Sequence, residues 1–171
     1  VIGEQDGDMQ RDYSYSVGRE VGMLSSPEQL GLEAAQFTLG RLGARKVKTC
    51  KVPVLFDREI ASGLFGHFIS AISGGNLYRK SSFLLDKLGQ QVLPDWLNIS
   101  ERPHILKGLA SSPFDHEGVK TRDMDVVSNG LLNHYLLTSY SARKLKMQTT
   151  GHAGGIHNWF IQHTGESDKE M

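Results

Sequence analysis

Asn129-Gly130 is the feature that most narrows what this chain can fold into. Apolar runs flank it, Asp123 to Val127 before and Leu131 to Leu137 after, with Ser128 leading into the turn. Asn and Gly both tolerate the positive φ of a type I′ turn, whose twist matches that of antiparallel strands. The pair therefore predicts a β-hairpin, and with it an antiparallel sheet. His134 alternates with Leu132 and Leu136, so it shares their face and reads as a satisfied histidine on a sheet rather than a ligand.

The segment Asp57 to Ser82 supplies the helical half. Val52 to Phe56 reads as a short buried strand leading into it. Asp57 is a good N-cap, and Glu59 puts negative charge in the first turn, where the helix dipole favours it. Ile60, Leu64, Phe65, Phe68 and Ile72 recur at three- and four-residue steps, giving one apolar face. Gly74-Gly75 is expected to stop the helix through positive φ. A second helix is predicted from Ser26, with Pro27 at its first position, Leu30, Ala34, Phe37 and Leu42 inward, and Gly43 at its end.

Elsewhere the signals are shorter. Val1 to Arg11 reads as an acidic loop, and Tyr13 to Val17 as a half-exposed strand. Ser82 to Leu88 reads as a short helix ending at Gly89; Val92-Leu93 and Leu97 to Ile99 read as strands. Ser139 to Lys146 is a short helix with Arg143, Lys144 and Lys146 near its C-terminus. The fold class that follows is α+β, with helices near 26–42 and 57–73 and a mostly antiparallel β region, because strands and helices come in blocks without regular alternation.

Charge and composition bear on function. Lys+Arg and Asp+Glu both number 19, so no overall field attracts nucleic acid or an anionic membrane. No apolar run approaches the roughly 18 residues of a membrane span, and the start lacks the pattern of a signal peptide. The single cysteine, Cys50, suits a reducing compartment. It lies in a basic stretch, Lys46 to Lys51, but a buried or idle thiol is the plainer reading. Arg45, Lys46, Lys48 and Lys51 have no interleaved aromatics and read as a solvated connection.

The candidate site residues lie in two places. His67 sits on the predicted helix and Arg79 in the polar segment after it. Gly151, His152, Gly154, Gly155 and His157 lie in one glycine-rich run, where another backbone can come close or N–H groups can face a ligand. Two histidines without a carboxylate or thiolate make a weak metal site, and His104 and His116 read as loop histidines. The residues therefore predict no catalytic group and no metal ligand, only a turn that another chain or a ligand can approach beside a purely structural one.

Four stretches, LFGHFISAISGGNLYRKSSFLLDKLGQQV, GLASSPFDHEGVKTRD, LLTSYSARKL and TGHAGGIHNW, occur in this order across most of the chain. Together they resemble the TldD/PmbA family, on its PmbA (TldE) side. In that family the TldD branch carries a zinc-protease helix of the form His-Glu-x-x-x-His. Aligned through Gly66-His67, this chain has Ser62 and Gly63 where the first His and the Glu would stand. Serine is a poor zinc ligand and glycine moves no proton.

The resemblance thus implies a cytoplasmic heterodimer with a TldD-like subunit. The partner would supply zinc and cleavage; this subunit, without zinc of its own, would shape the cleft for a peptide or unfolded-protein substrate. Peptide maturation and degradation of unfolded peptides are the implied tasks, with a peptide-cleft or interface role implied for His67, Arg79, Gly151, His152, Gly154, Gly155 and His157. The alternatives are a metallopeptidase in its own right, with ligands elsewhere, and a non-enzymatic modulator of DNA gyrase, a label the family has carried. The resemblance also implies that residues 1–171 are part of one PmbA/TldD-like domain, a fragment with further sequence on both sides. The terminal GESDKEM is expected to open a helix.

Overall fold

The computed structural model describes residues 1–162, so the expected helix start in GESDKEM lies outside the described residues. The chain divides into two compact units, Val1–Leu55 and the chain from Phe56 onward.

In the first unit, β1 (Ile2–Gln5) and β2 (Asp8–Arg11) form an antiparallel hairpin. This corrects the loop expected over Val1 to Arg11. Asp6 and Gly7 both have positive φ, 51° and 83°, so Asp-Gly makes here the kind of turn that Asn-Gly makes elsewhere. α1 (Pro27–Gly40) follows, with the Ser26 side chain accepting from Gln29 N and Pro27 in the first turn. Its buried contacts are narrower than its apolar pattern: Ala34 and Thr38 are buried, while Phe37 is 40% exposed. Tyr13 to Val17 forms no strand; Tyr13 and Tyr15 stack on each other, both exposed. Cys50 is exposed, which removes the buried reading. The basic Arg45 to Lys51 stretch is an exposed connection, as expected.

An irregular segment ends the first unit and opens the second at Phe56. Val52, Val54, Leu55 and Phe56 are exposed and pair with nothing among the described residues, so the strand expected there is absent. Pro53 withholds a ladder donor within that run. α2 (Arg58–Ile72) is capped by Asp57, whose carboxylate accepts from Glu59 N. Only the C-terminal half of its apolar stripe enters the core: Ile72 is fully buried and Phe65, Phe68 and Ile69 pack beside it, but Ile60 and Leu64 stay exposed.

The break after α2 falls on Ser73, not on the two glycines. Ser73 is extended (φ −74°, ψ 133°), and α3 (Gly74–Tyr78) starts at once. Ser73 bridges to Leu136 in parallel, with Gly74 N donating to Leu136 O and Leu136 N to Ile72 O. Glycine is needed at 74 for close approach. A Cβ there would lie 2.6 Å from Ser141 Cβ and 2.9 Å from Leu137 Cδ2, with Ser141 Oγ closer still. We expect Gly74→Ala to cost about 1–3 kcal/mol, as overpacked sites do, and Gly74→Ala/Ser141→Gly to recover part of it in denaturant unfolding.

Ser82 to Leu88 is a series of turns rather than the expected helix. Asp86 has φ 60°, and the Tyr135 hydroxyl takes over the backbone, accepting from Lys87 N at 3.0 Å and donating to Leu84 O at 2.6 Å. Val92-Leu93 is not a strand either; Gln91 makes one bridge to Leu131.

The main sheet runs β5-β4-β3-β6, antiparallel throughout. β3 is Ile99–Glu101, β4 Met124–Ser128, β5 Leu131–Leu132 and β6 Trp159–Ile161. The Asn129-Gly130 hairpin forms as expected, with φ of 49° and 73°, although its second strand is only two residues long. α4 (Ser139–Leu145) has a capping box between Thr138 and Ser141, and Lys146 closes it in the left-handed conformation. Ile72, Leu77, Ile99, Val126, Val127, Leu132 and Leu137 are the center of the core. At roughly 1.5–3 kcal/mol for each fully buried aliphatic side chain, this cluster holds α2 and α3 against the sheet. The architecture is α+β.

Candidate functional site

β3 is the middle of the site. Ile99 and Glu101 alternate onto one face of the strand, and both are buried, to 0% and 1% exposure. Glu101 pairs with Met124 on one side and with Trp159 on the other. Its neighbour across the sheet therefore supplies the first partner: Trp159 Nε1 donates to Glu101 Oε2 at 2.6 Å.

The glycine-rich run supplies the others. Gly151, Gly154 and Gly155 have φ of 76°, 105° and 120°, a path that side chains resist, and it folds the chain back on β3. His152 Nε2 then lies 3.0 Å and His157 Nδ1 2.5 Å from Glu101 Oε1. Both rings are buried and meet edge to face, with centroids 5.7 Å apart. His152 Nδ1 is 2.9 Å from Thr150 Oγ1. A Cβ on Gly154 would strike the His116 ring, which occupies that space.

A second carboxylate fixes the turn. Asp115 Oδ1 accepts from Glu117 N and Val119 N, and Oδ2 accepts from Ala153 N at 3.0 Å. Burial pushes both carboxyls up. At Glu101 the hydrogen bonds from His152, His157 and Trp159, with the charge of His152, outweigh it; at Asp115 the backbone N–H groups of Ala153, Val119 and Glu117 do. Both stay below the ordinary carboxylate range. A lowered folded-state value means stability that is full above the unfolded value and lost as pH falls through the folded one. Asp115→Asn would turn an NH₂ group toward a backbone N–H. It is expected to cost about 1–3 kcal/mol near neutral pH and to flatten the acid limb of the stability profile.

Of the residues singled out by sequence, Gly151, His152, Gly154, Gly155 and His157 come together in this turn. His67 and Arg79 do not join them. His67 is exposed on α2, and Arg79 is exposed with its guanidinium on Asn76 Oδ1 and over the Tyr78 ring. Phe68, next to His67, does reach the site, its ring 6.4 Å from that of Trp159. His104 and His116 are exposed, as expected for loop histidines. His134 is half-buried outside any strand, and burial lowers its pKa.

Glu101 was not among the residues singled out. Its signal was present: extending the Leu97 to Ile99 strand by two residues puts an acid on the buried face beside Ile99, where it needs partners.

Two places can be tested for a metal. On α2, Ser62, Gly63 and His67 are all exposed and offer one imidazole, so that helix does not fit a zinc ion. Glu101, His152 and His157 offer a carboxylate and two imidazole nitrogens within 4.8 Å of one another. That donor set does fit zinc chemistry, and the carboxylate missing from the sequence reading is the one the fold brings in.

The model of the PmbA/TldA metallopeptidase C-terminal domain matches residues 49–171. Over its whole length the chain is 58% identical to metalloprotease PmbA of Escherichia coli O157:H7, of which it covers 38%. It is 55% identical, over 95% of its length, to a PmbA homolog of Haemophilus influenzae, covering 36% of that protein. The chain thus spans a little over a third of the length of these curated relatives. Among solved structures, a protein from Thermotoga maritima named as a candidate modulator of a DNA gyrase is 33% identical, with a TM-score of 0.86 over 99% of this chain and 40% of that one. TldE from Thermococcus kodakarensis, at 22% identity and a TM-score of 0.77 over 98% of this chain and 40% of its own, shares the fold.

Proposed function

The chain belongs to the PmbA/TldD metallopeptidase family, and from that membership we propose that it is part of a PmbA/TldE-like subunit of a cytoplasmic TldD–TldE complex. The complex matures and degrades peptides, and the TldD-like partner holds the hydrolytic zinc. The observation that carries this reading is α2. It stands where the family's zinc helix is expected, yet it presents Ser62 and Gly63 in place of a ligand and a base. Hydrolysis at a zinc needs both an open metal position and a group to take the proton from water.

This subunit's role is then to shape the substrate path. β6 is an edge of the main sheet, with no strand on its outer side among the described residues. An extended peptide can add to such an edge through main-chain hydrogen bonds that demand little sequence. The glycine-rich turn leads directly into β6, and Gly154 and Gly155 are exposed beside it. Balanced charge, 19 basic and 19 acidic residues, weighs against direct contact with nucleic acid. Among the described residues no helix is long and apolar enough to cross a membrane.

The test is cleavage of an unstructured peptide by the intact protein alone, by a TldD-like partner alone, and by the two together. We expect hydrolysis at the full rate only in the mixture. Hydrolysis by this protein alone would sink the proposal.

A further inference from the structure

We propose that Glu101, His152 and His157 form a binding site for a divalent transition metal of the zinc class, separate from any hydrolytic centre. The case begins with counting hydrogens. Thr150 Oγ1 has one hydrogen. It lies 3.1 Å from Tyr135 O, which it can only reach as donor, and it accepts from Leu137 N at 2.7 Å. With its hydrogen on Tyr135 O or, at 3.4 Å, on Leu137 O, the hydroxyl meets His152 Nδ1 as an acceptor, so Nδ1 carries a hydrogen and, in the neutral ring, Nε2 has a lone pair. That lone pair faces Glu101 Oε1 across 3.0 Å. A neutral His152 would thus meet Glu101 acceptor to acceptor; a second ring proton, which makes Nε2 the donor described above, or a metal ion in its place relieves this.

The surroundings are those of a metal site. A ligating histidine usually donates its second N–H to an oxygen, which fixes the ring; Thr150 takes that place for His152. Trp159 holds Glu101 Oε2 and leaves Oε1 as a single inward donor. His157 Nδ1 reaches the same oxygen. Bonds of about 2.0–2.1 Å at tetrahedral angles put ligand atoms roughly 3.3 Å apart. The 3.0 Å separation of His152 Nε2 and Glu101 Oε1 is already near that spacing, and His157 Nδ1, at 2.5 Å, would draw back to meet it. Two imidazoles and a carboxylate suit zinc, cobalt or nickel better than calcium or magnesium, which prefer all-oxygen sites. A fourth position is left for water, on the side of His157, whose 8% exposure is the largest of the three.

Such an ion would tie β3 to the glycine-rich turn. It is independent of how peptides are cleaved, and its test reads metal, not hydrolysis. The intact protein is stripped with chelator, dialysed against Zn²⁺ or Co²⁺, and assayed for bound metal. The expected result is a single ion per chain, with tetrahedral Co²⁺ absorption in the visible. His157→Gln should abolish it, Thr150→Val should weaken binding by about 10–100-fold, as loss of a supporting contact does, and His67→Gln should change nothing. Because these variants disturb a buried cluster, imidazole nitrogen shifts are also followed in the unaltered protein. Shifts at both His152 and His157 on adding Zn²⁺ support the site. The proposal is overturned by unchanged shifts at saturating Zn²⁺, by a Co²⁺ spectrum without tetrahedral bands, or by metal retained in His157→Gln. A proton would then be the shared cation.

Discussion

Glu101→Ala is expected to lower the unfolding free energy by roughly 3–5 kcal/mol, the range for removing one member of a buried, charge-assisted cluster. The carboxylate is 1% exposed and accepts from two imidazoles and an indole. Without it, these groups stay buried with no acceptor, and water has little access. Urea unfolding with chelator present measures this without a contribution from any ion. Glu101→Gln should be milder, about 1–3 kcal/mol. Its carbonyl can still serve one side, but its NH₂ group meets a donor on the other. A loss below about 1 kcal/mol for Glu101→Ala, small beside the usual cost of an unsatisfied buried group, would mean that water reaches these donors and the cluster is not closed.

The second large effect is expected at Gly130. Its φ of 73° costs a residue with a Cβ roughly 1–2 kcal/mol. There is no space either: the added carbon would lie 2.5 Å from Pro94 O, with Leu93 O and Gln91 Nε2 closer. Two of these are backbone oxygens, which cannot rotate away. Gly130→Ala should therefore cost about 2–5 kcal/mol, strain and overpacking together. Gly7→Ala, in the other hairpin, has a similar φ but open space around it, and should lose only about 1–2 kcal/mol. Equal losses at the two turns would show that the conformation alone matters.

That contrast shows what could be read from residues alone. The Asn129-Gly130 turn was legible because both residues announce their φ. Its packing was not, since Gln91 to Pro94 arrives from far along the chain. Both caps, Ser26 and Asp57, were legible for the same local reason. Strands without a ladder partner, Tyr13 to Val17 and Val52 to Phe56, looked like strands by pattern, but a strand exists only where another pairs with it. The helix over Ser82 to Leu88 was displaced by one distant hydroxyl, that of Tyr135.

The candidate site divides in the same way. His152 and His157 stood out as a pair in a glycine-rich run, and the missing carboxylate was the reason to discount them. Glu101 lies 51 residues before His152, and only the pairing of β3 with β6 brings it there. Spacing rules find ligands on one helix or in one loop; they do not find a third group delivered by a sheet.

Trp159 gives this arrangement an optical signature. The protein has two tryptophans, and Trp96 is 53% exposed, so its emission is that of an indole in water. Trp159 is partly covered, lies against Phe68 and holds its N–H on a buried anion. Its fluorescence is therefore expected to follow the charge state and occupancy of Glu101, and a Trp96→Phe protein would let that signal be followed alone, through titration, metal addition or peptide binding.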